Sequence, residues 1–262
     1  SFAESNIILT ASLAFFTKNG IVKRTNLSEF KNIRSIGVKA INLDENDELV
    51  TVLIANSEPG EFYETRAEGV EDDENSPEVL NDEIEGDDDN SGKMLFIVTK
   101  KGMCIKFALH KVRQIGRVSR GVTGIRFKEA GDEVVGAVVI ENDSQEILSV
   151  SQKGIGKRTT ADEYRLQSRG GKGVICMKLT PKTKELVGVV MVDEEMDLMA
   201  LTSSGKMIRV DMQSIRKAGR NTSGVIVVNV EGDEVVSIAR CPKEESDDEI
   251  LESEIIEESN LE

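Results

Sequence analysis

The stretch AFFTKNGIVKR at residues 14–24 is typical of a β-hairpin: an apolar strand, a polar turn that contains a glycine, and a second strand. Three later stretches have the same form, namely LFIVTKKGMCIKF, LSVSQKGIGKR and MALTSSGKMIRV. The turn glycines of the four stretches are Gly20, Gly102, Gly154 and Gly205, which lie 82, 52 and 51 residues apart. Because an acidic insertion at residues 57–92 lengthens the first interval, the underlying repeat is about fifty residues long.

A second glycine, followed by valine, also recurs once in each repeat. The four positions are Gly37, Gly121, Gly173 and Gly224. After each of them the sequence predicts a strand (VKAINL, VTGIRF, VICMKL and VIVVNV), a short polar turn and another strand. Four strands per repeat, only four prolines and no helical apolar period predict an all-β fold of radially arranged antiparallel blades. The blades are expected within residues 1–243, and residues 244–262 form an acidic tail that we expect to be disordered.

The net charge of −15 is an average over unlike segments. Residues 57–92 carry a net charge of −14 and residues 244–262 a net charge of −10, so the remainder of the chain carries +9. A basic body indicates a polyanionic partner, and the acidic tail could compete with that partner. Aromatic residues make up only 4% of the chain, which argues against binding single-stranded nucleic acid by base stacking.

Basic residues recur at fixed places in the repeat. Four residues after the hairpin glycines lie Arg24, Lys106, Arg158 and Arg209, with Lys23 and Lys157 beside them in two repeats. Shortly before the second glycines lie Arg34, Arg117, Arg169 and Arg220, with Arg120 directly beside Gly121. Equivalent positions on radial blades lie at equivalent places around a disc. These residues therefore predict a positive band that binds the phosphates of duplex DNA, with little readout of base sequence.

The stretch QSRGGKGV at residues 167–174 is the third repeat's version of the loop before the second glycine, with an extra Lys172 and two extra glycines. Arg169 and Lys172 are candidate phosphate ligands. Gly170 and Gly171 lack side chains, which would let a phosphate approach the backbone N–H groups. Gly173 is expected to form the turn into the next strand.

These motifs resemble the C-terminal DNA-wrapping domain of the DNA gyrase A subunit, and they are similar in kind to its topoisomerase IV counterpart. The resemblance lies in FTKNGIVKRT and LSEF within residues 16–30, GKRT at residues 156–159, RNTSGV at residues 220–225 and the acidic tail. It implies a β-pinwheel, a propeller-like disc whose neighbouring blades exchange a strand. It also implies that the disc bends DNA around its rim, and that the four visible blades are the last four of a six-bladed domain.

This sequence departs from the family pattern at one motif. The family carries a box of sequence QRRGGKG, normally in its first blade, whereas residues 167–173 have Ser168 in place of an arginine and lie in the third repeat. Two questions therefore stay open: whether this stretch is the box or an echo of it, and whether the chain belongs with gyrase or with topoisomerase IV. The resemblance implies a bacterial cytoplasmic A2B2 enzyme in which the rest of the A subunit, together with the gyrase B subunit, is the partner. ATP and Mg²⁺ would be bound elsewhere in that enzyme.

No catalytic residue, metal site or cofactor site is predicted in this chain. The only histidine, His110, has no partner at metal-ligand or triad spacing, and the three cysteines are far apart and expected to be reduced thiols. No apolar run is long enough to span a membrane. An alternative from another functional class is a protein-interaction propeller whose acidic segments bind basic partners and which does not bind DNA.

Overall fold

The computed structural model describes residues 11–33, 35–56 and 92–243. The acidic tail, nearly all of the acidic insertion and Arg34 lie outside the described residues. Fifteen strands occur in the described part, and their bounds are β1 Ala11–Thr17, β2 Ile21–Asn26, β3 Leu49–Asn56, β4 Met94–Thr99, β5 Met103–Ala108, β6 Val122–Thr123, β7 Val134–Ile140, β8 Glu146–Ser151, β9 Ile155–Thr160, β10 Val174–Ile175, β11 Leu186–Met191, β12 Met196–Thr202, β13 Met207–Asp211, β14 Val225–Ile226 and β15 Val235–Pro242. A single 3₁₀ turn follows the second strand of each repeat, at Leu27–Phe30, Leu109–Lys111, Ala161–Glu163 and Met212–Ser214.

The strands form four antiparallel sheets, one for each repeat, which we number as blades 1 to 4. The strand orders are β3-β1-β2-β6, β10-β5-β4-β7, β11-β8-β9-β14 and β13-β12-β15. In the first three blades the fourth strand comes from the following repeat: β6 pairs with β2, β10 with β5 and β14 with β9. Neighbouring blades therefore exchange a strand, and the predicted β-pinwheel is confirmed.

Neighbouring blades pack face to face. The third strands of successive repeats, β3, β7, β11 and β15, contact one another and form the inner side of the arrangement. Three buried apolar clusters fill the seams. Phe16, Leu95 and Phe107 belong to the first cluster, Phe96 and Tyr164 to the second, and Leu148 and Leu198 to the third. The exchanged strands β6, β10 and β14 lie at the opposite edge of each sheet, which we call the outer edge.

The hairpin turns lock each repeat to the next. Gly154 adopts a φ of +69°, and its carbonyl oxygen accepts hydrogen bonds from the N–H groups of Val227 and Val228 in the following repeat. Gly20 and Gly102 make the same pair of contacts with their own following repeats. A positive φ is the conformation that glycine adopts at little cost. The hairpin glycine therefore serves both the turn and the contact between blades.

The strand after the second glycine differs from the sequence expectation. VTGIRF, VICMKL and VIVVNV each contribute only a two-residue strand, and VKAINL forms no strand. The reason is that each such segment pairs with the second strand of the preceding blade. The first repeat has no preceding blade among the described residues, so its segment lacks a strand partner. Within the described residues no helix is long and apolar enough to cross a membrane.

Replacing Gly154 with alanine should destabilise the fold more than replacing Gly205. Both glycines have a positive φ, so both substitutions carry the cost of about 1–2 kcal/mol for a side chain in the left-handed region. A Cβ on Gly154 would also overlap the carbonyl oxygen of Val228, whereas a Cβ on Gly205 meets nothing within 4 Å. We expect an additional loss of about 1–3 kcal/mol for G154A from this overpacking, measured by urea unfolding. Equal losses for the two variants would contradict the contact between blades.

Candidate nucleic-acid interface

The outer edge is built by segments that cross from one repeat onto the blade before it. We call these the crossing segments, at residues 112–121, 164–173 and 215–224. Each begins after a 3₁₀ turn and forms a backbone hydrogen bond with the second strand of the preceding blade. The donors and acceptors are Ile115 N to Arg24 O, Gln167 N to Lys106 O, and Ala218 N to Arg158 O. Residues in a crossing segment therefore lie at the seam between two blades.

The cations four residues after the hairpin glycine are buried in the first three blades. Arg24, Lys106 and Arg158 have relative exposures of 0%, 2% and 7%. They lie under the crossing segments, because each of them forms a parallel bridge with a residue of such a segment. This placement corrects the expectation that these three side chains form part of an exposed positive band.

The buried cations instead bind groups of the fold. Arg158 donates from Nε to the Ile215 carbonyl at 2.7 Å and from Nη1 to Oε1 of Gln213 at 2.7 Å. Lys106 donates from Nζ to Oδ1 of Asp143 and to the carbonyl of Ala161, which lies in the next repeat. Since these contacts are made to a neighbouring segment or repeat, Lys106 and Arg158 stabilise the seams. Arg24 donates from Nε to Oγ of Ser12 in its own blade at 2.8 Å.

Lys23 and Lys157 are also buried, which corrects the same expectation for them. Lys23 Nζ donates to the carbonyls of Ala40 and Arg117, and Lys157 Nζ donates to the carbonyls of Gly219 and Arg220. Burial lowers the pKa of Lys23 to about 8 and also lowers the pKa of Lys157. Within the described residues neither ammonium group forms a salt bridge with a carboxylate.

Arg209, the equivalent cation of blade 4, is partly exposed. Its Nε donates to Oδ2 of Asp197 at 2.7 Å and its Nη2 donates to the Pro242 carbonyl at 2.6 Å. No described crossing segment covers β13, which explains why Arg209 is less buried than its counterparts. Its guanidinium is nevertheless used within blade 4.

The arginines four residues before the second glycine reach the surface. Arg169 is exposed, whereas Arg117 and Arg220 are partly exposed. Arg169 donates from Nη1 to the carbonyl of Thr123 in β6, and Arg220 donates from Nη1 to the carbonyl of Ile175 in β10. Each of these two therefore bridges to the exchanged strand of the preceding repeat. Because a guanidinium has five N–H donors, donors remain for a ligand at the outer edge.

In the loop of residues 167–173, Gly170 and Gly173 serve the fold, whereas the two cations reach the surface. Gly170 is buried, and its N–H donates to the Gly124 carbonyl at 2.6 Å, so this group is used within the fold and is not presented to a phosphate. Gly173 has a φ of +70°, and a Cβ there would overlap the carbonyl of Cys104, so its predicted role in the turn is confirmed. Gly171 is partly buried, while Arg169 and Lys172 are exposed.

Two predicted residues remain. Arg120 is exposed and forms an ion pair with Asp44, in which Nε lies 2.7 Å from each carboxylate oxygen and Nη2 also contacts Oδ2. This pairing neutralises its charge locally and raises the pKa of Arg120. Arg34 lies outside the described residues.

Sequence reasoning missed a set of exposed cations with the same repeat spacing. Eleven residues after the four hairpin glycines lie Lys31, Arg113, Arg165 and Arg216, and all four are exposed. Within the described residues their side chains form neither a salt bridge nor a hydrogen bond. Arg113, Arg165 and Arg216 lie on the three crossing segments. The recurrence at eleven residues was visible in the sequence and could have identified this set, which we call the seam cations.

Several cations at the hairpin end of the blades are paired with carboxylates. Lys100 lies 3.1 Å from Oε1 of Glu133 and 3.5 Å from Oε2 of Glu185, and Lys18 also contacts Glu133. Lys153 and Lys184 both contact Glu234. These ion pairs connect neighbouring blades and cancel the local charge. Not every lysine of this end is paired, since Lys182 and Lys206 are exposed there without a salt bridge among the described residues. At the outer edge, the seam cations and Lys172 are exposed and likewise have no salt bridge in the described part of the chain.

The described residues show no site for catalysis by a metal. No group of three or more His, Cys, Asp or Glu side chains in this part of the chain could hold a metal ion. Cys104 and Cys176 are buried, and burial raises the pKa of the Cys104 thiol. The arrangement of side chains suits an extended anionic ligand.

A family model and several known proteins match this chain. The model of the DNA gyrase C-terminal domain, beta-propeller, matches residues 11–56, 93–141, 145–193 and 197–242. The DNA gyrase A subunit of Campylobacter fetus is 82% identical over 251 residues, which are 96% of this chain and 29% of that protein. The DNA gyrase A subunit of Helicobacter pylori strain ATCC 700392 / 26695 is 51% identical over 235 residues, which are 89% of this chain and 24% of that protein. The chain thus spans less than a third of the length of these relatives.

Two solved structures share the fold. The C-terminal domain of DNA topoisomerase IV has a TM-score of 0.71 at 22% identity and covers 96% of this chain and 68% of its own. The DNA gyrase A C-terminal domain has a TM-score of 0.68 at 21% identity and covers 89% of this chain and 67% of its own. Both likenesses concern the fold alone. Since the family model matches all four repeats and more than half of the chain, the chain belongs to the DNA gyrase C-terminal domain family of β-propellers.

Proposed function

We propose that this chain binds duplex DNA along its outer edge without sequence preference and bends the DNA around the blades. In this role it would serve as the DNA-wrapping part of DNA gyrase and support supercoiling. The seam cations carry this proposal, because they are exposed and unpaired among the described residues, and three of them, Arg113, Arg165 and Arg216, lie at successive seams. Family membership and the basic charge of the body are consistent with it.

The physical basis is the release of counterions from DNA. A duplex carries one negative charge per roughly 1.7 Å of axis, and each phosphate that a cation neutralises releases condensed counterions. Bending a short duplex by 40–90° costs about 1–6 kcal/mol, which several such contacts in a row can offset. Radial blades supply contacts at regular intervals along a curved path. The described residues contain no α-helix that could enter the major groove, so backbone contacts would dominate.

Gyrase is the better assignment than topoisomerase IV. The relatives named above are gyrase A subunits with up to 82% identity, whereas the likeness to topoisomerase IV, at 22% identity, supports only the fold. A protein-interaction propeller is less favoured, because Arg113, Arg165 and Arg216 recur on successive crossing segments, where an extended polyanion could contact one blade after another. In the whole enzyme, an A2B2 assembly, the partners would be the rest of the A subunit, together with the gyrase B subunit. ATP and Mg²⁺ would be bound by other parts of that enzyme. The enzyme would be located in the bacterial cytoplasm.

Replacing the seam cations should weaken DNA binding and its dependence on salt. In the triple variant R113Q/R165Q/R216Q, three phosphate contacts are lost, so the slope of log K against log salt should become shallower by about 3. The measurement is the affinity for a random-sequence duplex at several salt concentrations. The loss should be alike for unrelated sequences, because phosphate contacts carry no base information.

The matched control is K101Q/K153Q/K184Q. It removes the same number of charges from the chain, but these lysines are already paired with Glu129 and Glu234 at the hairpin end. We expect this control to keep nearly all of the wild-type slope. Equal effects of the two triple variants would mean that only net charge matters. A seam variant that binds DNA like the wild type would refute the proposed interface.

The acidic tail is proposed to compete with DNA for the outer edge. Residues 244–262 contain ten carboxylates and neither lysine nor arginine, so the basic body offers the nearest positive charge. The acidic insertion at residues 57–92 could act in the same way. Competition of this kind is electrostatic and therefore weakens as salt screens the charges.

A chain that ends at Lys243 should bind and bend DNA more tightly than the full chain at low salt. The difference should shrink as the ionic strength rises, because the Debye length falls from about 30 Å at 0.01 M to about 10 Å at 0.1 M. A variant of the 262-residue chain with the ten tail carboxylates replaced by their amides is the matched control, and it should behave like the truncated chain. Equal affinity and equal bending for all three chains at low ionic strength would exclude competition.

A further inference from the structure

Two buried ammonium groups lie directly under arginines of the proposed interface. Lys157 Nζ donates to the carbonyl of Arg220 and, at 2.7 Å, to that of Gly219. Lys23 Nζ donates to the carbonyl of Arg117, at an earlier seam in the arrangement of the blades. Both lysines have a relative exposure of 0%. Neither can touch DNA in this arrangement, although both recur at the same place in the repeat.

We infer that Lys157 and Lys23 are positioning residues for DNA binding, which hold the backbone of Arg220 and Arg117 at the outer edge. The inference rests on the proposed function. The carbonyl that each lysine binds belongs to the arginine itself, so the contact fixes the point from which the arginine side chain extends. A lysine can bind more than one carbonyl at once, because its ammonium group has three donors.

The surroundings of Lys157 explain why a charged group is kept at this place. Within the described residues no carboxylate pairs with its ammonium group, which donates instead to the carbonyls of Gly219 and Arg220. Burial lowers its pKa, so the charged form is maintained against a desolvation cost. A buried positive charge that lacks a salt bridge also adds to the positive potential at the surface above it.

Blade 2 shows what replaces the lysine when it is absent. Its equivalent residue is Ile105, and the crossing segment above it contains Gly170 and Gly171. A Cβ on Gly171 would lie 3.5 Å from Cδ1 of Ile105, so the glycine backbone passes close over the apolar side chain. The carbonyl of Gly170 accepts from Nη1 of Arg126 at 3.0 Å. A buried lysine thus lies under the loops GRVSRG at residues 116–121 and GRNTSG at residues 219–224. An isoleucine lies under the loop SRGGKG at residues 168–173.

The variant K157M tests the inference, because methionine keeps an unbranched side chain of similar length and removes the donors. We expect the variant to bind a random-sequence duplex about 3- to 10-fold more weakly at low salt, with a salt slope shallower by about 1, as if one phosphate contact were lost. R220A should show a similar loss. In the double variant the two losses should not add, because the lysine acts through the arginine.

The matched control is K153M, which removes a lysine at the hairpin end of the same seam. Lys153 also donates to a carbonyl of the next repeat, that of Asp233 at 3.1 Å, but it lies away from the crossing segment. K153M should keep wild-type affinity. Circular dichroism and urea unfolding of each variant establish that the protein compared is folded.

A folded K157M with wild-type affinity would overturn the inference, and so would fully additive losses in the double variant. If K157M does not fold, K23M with R117A provides the same test at the other seam. Failure of the proposed function has a different signature: R220A, R117A and the seam-cation triple variant would all leave DNA binding unchanged. The two failures can therefore be told apart.

Discussion

The structure depends on the contact between the hairpin glycine of each of the first three blades and the following repeat. The carbonyl of Gly20, Gly102 or Gly154 accepts two N–H groups from the next repeat, and this contact brings the exchanged strand onto the edge of the preceding sheet. In each of the first three blades, the fourth strand comes from the following repeat. The outer edge is consequently a composite surface, and every seam along it carries residues from two repeats.

This exchange explains why basic residues with the same repeat spacing have different roles. Arg24, Lys106 and Arg158 lie on second strands, which the crossing segments cover, and they bind groups of the fold. Arg113, Arg165 and Arg216 lie on the crossing segments and face solvent. The first set is used within the fold, and the second set is available to a ligand. At the hairpin end, several lysines and glutamates pair with each other between blades, whereas the seam cations have no such partner among the described residues.

Much of the fold could be predicted from the sequence, because a repeat with a glycine at a fixed place specifies a hairpin in each copy. The turn at Gly173 was predictable for the same reason. The burial of Lys23 and Lys157 could not be predicted, since recurrence shows that equivalent residues share an environment but does not show whether that environment is exposed. The crossing segments that cover these lysines lie about ninety residues away in the chain for Lys23 and about sixty for Lys157. The seam cations were detectable by their spacing, and Arg34 and the acidic segments lie outside the described residues.

The central claim is that DNA follows the outer edge across the seams, and photo-crosslinking tests it most directly. A photoreactive amino acid would replace Arg113, Arg165 or Arg216 in three single variants, and Lys101, Lys153 or Lys184 in three controls at the hairpin end. Each variant would be irradiated with the same random-sequence duplex. The account predicts that all three seam positions crosslink to DNA and that the hairpin-end positions crosslink weakly or not at all. Crosslinking that is equal in the two sets, or stronger at the hairpin end, would contradict it.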